Sequence, residues 1–260
     1  MTAPRFYCPD LCVGQVALSE AEARHARASL RLQAGDELTL FDGRGGMAHG
    51  QLARAAGAAN TARTTKKGRR ATRLVATVEA IVRAPAATQQ LTLIVAGCKG
   101  ARLDWLVEKC TELGVTRLHF AEFARSVVHV GSAHLEKLRR TAVEACKQCG
   151  RLWLPEIAAG GDLVAVVTAS DADHLLVADP AETARPYGTW LQHHAAGAHS
   201  IAAVVGPEGG LTADEMHVLM RAGAEPVCLG THTLRVETAA VALAAAWSAA
   251  LPAAPHGHSH

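Results

Sequence analysis

No stretch of the 260-residue chain is long and clean enough in apolar residues to span a bilayer, which argues against a transmembrane helix. The opening residues MTAPRFYCPD lack the basic, apolar and small-residue zones of a secretory leader. A cytoplasmic protein is the expectation. Seven cysteines, at 8, 12, 98, 110, 146, 149 and 228, form neither an even set nor a regular spacing, so no disulfide framework is expected and the thiols should be reduced. No internal repeat is evident. With 49% hydrophobic and 19% charged residues the chain is neither disordered nor membrane-like, and its length suits one large domain or two ordinary ones.

The net charge of +2 conceals an asymmetry. Residues 1–90 carry 13 Lys and Arg against 7 Asp and Glu, whereas residues 91–260 carry 13 against 17. A basic first part suits a polyanionic partner. That part also shows short strand-like pieces: ELTLF follows a turn at Ala34-Gly35-Asp36, and a glycine-rich turn over residues 42–46 precedes a second strand from Met47 to Leu52. Such spacing predicts a small barrel. Residues 63–73 hold six basic side chains and no acid, and read as a basic loop directed at a nucleic-acid backbone.

Near residues 83–87 the pattern changes. Strand-like LTLIVAG, RLHFAEF, HLLVADP, IAAVVGP and PVCLG alternate with helices expected from about Leu103 to Leu113, His134 to Cys149, Asp214 to Ala222 and Glu237 to Leu251. This alternation implies an α/β domain with a parallel sheet covered on both faces.

Two strand–loop–helix corners stand out. IAAVV ends at Gly206-Pro207-Glu208-Gly209-Gly210, with a capping box at Thr212-Ala213-Asp214-Glu215; PVCLG ends at Gly230, followed by Thr231-His232-Thr233-Leu234-Arg235. Loops leaving the carboxyl ends of adjacent parallel strands would form two walls of one site. A phosphate-binding P-loop is excluded because Leu211-Thr212, not Lys-Ser/Thr, follows the last glycine, and no G-x-G-x-x-G opens a βαβ unit.

GPEGGLTADE followed by LGTHTLRVETAAVALAA closely resembles the cofactor-binding signatures of the SPOUT methyltransferases, specifically the bacterial RsmE family. PRFYCPD, HARASLRLQAGDELTLFDG, KGARLDWLVEKCTELGV and EACKQCGRLWLPEI extend the likeness over nearly the whole chain. The resemblance implies a PUA-like RNA-binding β-barrel over 1–84 and a SPOUT α/β domain with a deep trefoil knot over 85–260. It further implies a homodimer that uses S-adenosylmethionine to methylate uridine N3 in small-subunit ribosomal RNA. Pattern alone would lead to an unknotted sheet, since knots are rare. The alternatives are another SPOUT activity, on a ribose 2′-hydroxyl or on transfer RNA, and a non-catalytic PUA-like assembly factor. The intact GPEGG and LRVETA segments speak against the last.

Carried over residue by residue, the resemblance places Gly206, Glu208, Gly209 and Gly210 on one cofactor loop and Leu229, Gly230, Leu234 and Thr238 on the other, with Val177 to Pro180 as a third wall. The glycines are expected to admit an adenosine by close backbone approach. Arg235 is the catalytic candidate, a cation for the negative charge that develops on the uracil imide. Glu208 and Glu237 are the nearby carboxylates, but Glu237 also suits the N-terminal dipole of the last helix, so the base stays unassigned. Val236 stands where a hydroxyl residue is expected from close relatives. RNA contacts are expected from Arg5, Arg24, Arg27 and Arg31 in the barrel and from Lys99, Arg102, Arg125 and Arg151 around the mouth.

Cys146-Lys147-Gln148-Cys149 lacks the second ligand pair of a structural zinc site, and PHGHSH at the C-terminus reads as a tail. No metal is expected.

Overall fold

A computed structural model describes residues 3–54, 74–181 and 183–251. The basic segment 63–73 and the PHGHSH tail therefore lie outside the described residues. The described residues fall into two compact units, one drawn from Met1–Ala86 with Cys146–Leu154, the other from Ala87–Ala145 with Pro155–His260. Among them, no helix is long and apolar enough to cross a membrane.

In the first unit, strands β1 (Arg5–Tyr7), β2 (Gly14–Ala17), β3 (Glu37–Phe41), β4 (Gly46–Arg54) and β5 (Leu74–Val78) form a sheet ordered β1-β3-β4-β5-β2, and β6 (Val82–Arg83) pairs with β4. Helix α1 (Glu20–Arg24), capped by the Ser19 side chain accepting from the Glu22 N–H at 3.2 Å, runs into a π-helical turn over His25–Ser29. Phe6, Leu38, Leu40, Leu52 and Ala76 are essentially without solvent contact and make the core of this unit. Each such large side chain contributes about 1.5–3 kcal/mol by burial.

Residues 146–154 pack into the same unit despite their distance in sequence. Leu154 N–H donates to the Gly43 carbonyl and Gly45 N–H to that of Leu152, at 3.0 and 3.1 Å. Lys147 forms a buried ion pair with Glu22 at 3.1 Å, which a lone charge in that position could not tolerate. Cys146 is buried, its thiol pushed up to about 12 by burial and aimed at the Trp153 carbonyl 3.9 Å away. That thiol is an inert packing group.

The second unit is a seven-stranded parallel sheet. Its elements are β7 (Gln90–Val95), α2 (Ala101–Glu112), β8 (Arg117–Glu122), α3 (Ser132–Cys149, of which residues 146–149 belong to the first unit), β9 (Glu156–Asp162), α4 (Leu163–Thr168), β10 (His174–Ala178), β11 (Arg185–Pro186), α5 (Tyr187–His194), β12 (Ser200–Val205), α6 (Ala213–Arg221), β13 (Glu225–Cys228) and α7 (Val236–Ala250). Strand order is β11-β13-β10-β12-β7-β8-β9. The near-continuous apolar runs of β7 and β12 are buried almost completely, as strands covered on both faces require.

The expected α/β alternation is present, with one correction. β12 and β13, expected to be adjacent, are separated by β10. Both pair with it, Leu176 lying opposite Ala203 on one side and Glu225 on the other. Local pattern identifies strands but not their order, which long-range packing sets. Helices α2 and α7 pack on each other; α7 offers Ala239, Ala240, Leu243, Ala244 and Trp247 and α2 offers Leu103, Leu106, Val107 and Cys110, all buried. The alanines allow close approach, which places the first turn of α7 next to the start of α2.

Candidate active site

The carboxyl ends of β10, β12 and β13 open into one cleft of about 330 Å³. Because β10 sits between the other two, its exit segment Ala178, Asp179 and Pro180 lines the cleft between the walls supplied by the two glycine-containing corners. The corner after β12 contributes Gly206, Glu208 and Gly210; the corner after β13 contributes Leu229, Gly230 and Leu234. Gly209 and Thr238, also expected here, are not among the lining residues. Leu211, Met216, His232 and Ala239, not assigned from the sequence, are among the other lining residues. Periodicity could have found Met216, which falls one turn after Thr212 on α6.

The loop's own packing also demands glycine at these positions. Gly210 has φ +72, a left-handed conformation costly to any residue with a Cβ, and its N–H donates to the Pro207 carbonyl at 2.8 Å. A Cβ at Gly209 would lie 3.3 Å from Cβ of Arg125, and one at Gly206 would lie 2.9 Å from Leu211 Cδ2. Arg125 and Leu211 are the close neighbours that a side chain there would meet.

Behind the loop, the capping box is complete: Thr212 Oγ1 accepts from the Glu215 N–H at 3.2 Å, and Glu215 accepts from the Thr212 N–H at 2.7 Å. Glu215 also accepts from the Ala124 N–H at 2.7 Å. Burial pushes the Glu215 carboxyl up, but the Thr212 and Ala124 hydrogen bonds and the Arg125 charge outweigh it and hold the group below its usual range. The segment after β8 is thus tied to α6.

Arg102 and Arg125, expected to face RNA, are engaged within this unit. Arg125 Nη1 donates to the Gly209 carbonyl at 2.9 Å. Arg102 Nη1 donates to Glu208 at 3.1 Å and to Glu237 at 3.5 Å, and those bonds, Glu208 first, hold the guanidinium above its usual range. Charge type alone could not distinguish a solvent-facing cation from one that staples two loops. Lys99 is exposed.

Arg235 is the N-cap residue of α7, in extended conformation and exposed, with no side-chain capping bond. Its neighbour Val236 is buried and lines the cleft. Glu237 is buried at 6% exposure in the first turn of α7, where it meets the helix dipole, and its Oε2 has no hydrogen-bond partner among the described residues. Cys98 is neutral: burial first, then Glu237, pushes its thiol up to about 11.

In the first unit, Arg24, Arg27 and Arg31 are exposed on α1 and the turn after it, and Arg24 pairs with Glu20 at 3.5 Å. Arg31 holds φ +56, the left-handed exit residue of that turn. Arg5 lies over the Phe41 ring at 5.7 Å, with Nε and Nη2 buried and unpartnered among the described residues. Burial lowers the pKa of both Arg5 and Arg151.

Comparison with known proteins agrees with this geometry. The model for an RNA methyltransferase domain matches residues 85–248, and that for an RNA methyltransferase PUA domain matches residues 18–57. Ribosomal RNA small subunit methyltransferase E of Synechocystis is 32% identical over 88% of this chain and 71% of that protein. Its counterpart from Mycobacterium tuberculosis is 30% identical over 94% and 91%. The crystal structure of a ribosomal RNA small subunit methyltransferase E from Neisseria gonorrhoeae, bound to S-adenosyl methionine, superposes with a TM-score of 0.78 at 27% identity, covering 95% of this chain and 98% of that one. A putative methyltransferase from Legionella pneumophila shares the fold at a TM-score of 0.81 and 23% identity, over 96% and 98%. The N-terminal sheet is accordingly PUA-like and the C-terminal sheet is of the SPOUT methyltransferase type. With both domain models matched in order and two relatives aligned over most of their length, the chain belongs to the ribosomal RNA small subunit methyltransferase E family.

Proposed function

We propose that the protein transfers a methyl group from S-adenosylmethionine to N3 of a uridine in small-subunit ribosomal RNA. The observation that carries this reading is the cleft of three exit segments, where no lysine or arginine is among the described lining residues. Its walls are mostly apolar, through Val205, Leu211, Met216, Val227, Leu229, Leu234 and Val236, with Asp179, Glu208, His232 and Thr233 as polar points. Such a surface fits an adenosine and a thioether chain, and lacks the cations a phosphate cradle would need. Asp179 suits a ribose hydroxyl donor, and Glu208 suits an ammonium.

When bound, the cofactor supplies an electrophilic methyl group on a sulfonium. The chain's own task is to present N3 as a nucleophile, which requires stabilising negative charge on the imide. Arg235, exposed and flanked in sequence by the lining residues Leu234 and Val236 although not itself among them, would donate its guanidinium N–H groups to the uracil carbonyl oxygens. The N3 proton leaves to a base that we do not assign. Residues 1–84, with Arg5, Arg24, Arg27 and Arg31, would hold RNA by its phosphates, while residues 85–260 carry out transfer. Lys99 and Arg151 would assist by charge.

The reading extends to a homodimer in the cytoplasm and to a deep trefoil knot; placement of β10 between β12 and β13 supports the knot. Tritiated methyl transfer to small subunits from a strain lacking the modification tests the activity. Incorporation dependent on enzyme and subunit is expected; its absence with purified protein would refute the reading.

A further inference from the structure

Arg102 joins three pieces of chain that are far apart in sequence. It sits in the first turn of α2, behind an N-cap glycine with φ +62. Its Nη1 donates to Glu208 in the corner after β12 and to Glu237 in the first turn of α7. Glu208 lines the cleft on one side, and Glu237 lies between Val236 and Ala239, which line it on the other. One nitrogen therefore ties the two walls together. Glu237 is also two residues from Arg235.

The electrostatics make this tie consequential. The Glu237 side chain is 8% exposed, so Arg102 is the cation that compensates a buried carboxylate, while Glu208 is 64% exposed and gains less from the pair. Without the guanidinium the buried Glu237 carboxylate would lose its ion pair, which loosens the first turn of α7. The turn that would move carries the catalytic candidate.

We propose that Arg102 is a positioning residue: it fixes the glycine-rich wall and the Arg235-bearing turn of α7 at the separation needed for cofactor binding and transfer, and it is not an RNA contact. The inference rests on the functional reading above only for what the cleft binds. The distinction from an RNA contact is sharp, because an RNA contact would act on KM for RNA and its salt dependence.

The test uses the full-length protein with Arg102→Ala, Arg102→Lys and Glu237→Gln. Hydrogen–deuterium exchange without cofactor reads the two walls, calorimetry reads S-adenosylmethionine affinity, and kinetics separate kcat from KM. For Arg102→Ala we expect faster exchange in 206–210 and 236–239, cofactor affinity weaker by roughly tenfold, and kcat lower by at least about tenfold with KM for RNA little changed. Arg102→Lys should recover part of each effect, and combining Arg102→Ala with Glu237→Gln should cost less than the sum of the two. Should Arg102→Ala fail to fold, Arg102→Lys and Glu237→Gln carry the same comparison. Exchange and affinity at wild-type level in the variants, or a change confined to KM for RNA, would overturn the proposal. If the wild type transfers no methyl group to RNA yet Arg102→Ala still loosens both walls, the functional reading fails and the positioning role stands.

Discussion

The guanidinium of Arg125 donates to the carbonyl of Gly209 at 2.9 Å, so the segment after β8 holds the glycine-rich corner from outside the cleft. A charge-assisted bond of this kind, made at an exposed position, contributes about 1 kcal/mol. Arg125→Ala should therefore weaken S-adenosylmethionine binding by about fivefold through loop disorder. Calorimetry decides it, and unchanged affinity would show the clamp to be idle.

Gly210 is the position in this corner where side-chain addition meets backbone strain. With φ at +72, Gly210→Ala should cost about 1–2 kcal/mol, whereas Gly188→Ala in α5, with nothing within 4 Å of the added Cβ, should be neutral or slightly stabilising. Paired thermal melts compare them. Equal melting temperatures for the two variants would contradict the strain argument.

Asp173 gives the fold a pH dependence with a defined sign. Its carboxylate accepts from the Ser200 and His199 N–H groups at 2.8 and 3.0 Å, and the Ser200 bond leads in holding its pKa below the ordinary value of 3.8. A lowered folded-state pKa means the stabilisation is complete above the unfolded value and disappears as pH falls through the folded one. Asp173→Asn should thus lower the melting temperature at neutral pH and converge on wild type as pH falls through the lowered folded-state value. A pH-independent difference would argue against a role for the charge.

Arg235→Ala should abolish transfer while leaving cofactor affinity largely intact, because the side chain makes no capping bond that the fold would lose. Single-turnover assays and calorimetry together separate the two effects. Near wild-type turnover would remove Arg235 from the chemistry.

Much of this was legible in the chain. Period-3.6 spacing placed α2 within two residues of its observed start at Ala101, and the Thr212 to Glu215 box gave the start of α6. β9 was not read, because Gly160 and Gly161, at φ +95 and +79, look like a turn in sequence although they lie in a strand. The cleft walls were readable from two motifs, but the place of β10 between them was not, since strand order is a long-range property. The intramolecular partners of Arg102 and Arg125 were hidden for a related reason: a basic residue announces its charge, and only the fold reveals whether a carboxylate or a carbonyl is already waiting for it.

The central claim is the target atom. Small subunits lacking the modification, incubated with the protein and isotopically labelled S-adenosylmethionine, can be digested and their nucleosides sequenced by mass spectrometry. Label is expected on one uridine, on the base and at N3. Label on a ribose 2′-hydroxyl, on transfer RNA alone, or on no nucleoside would contradict it.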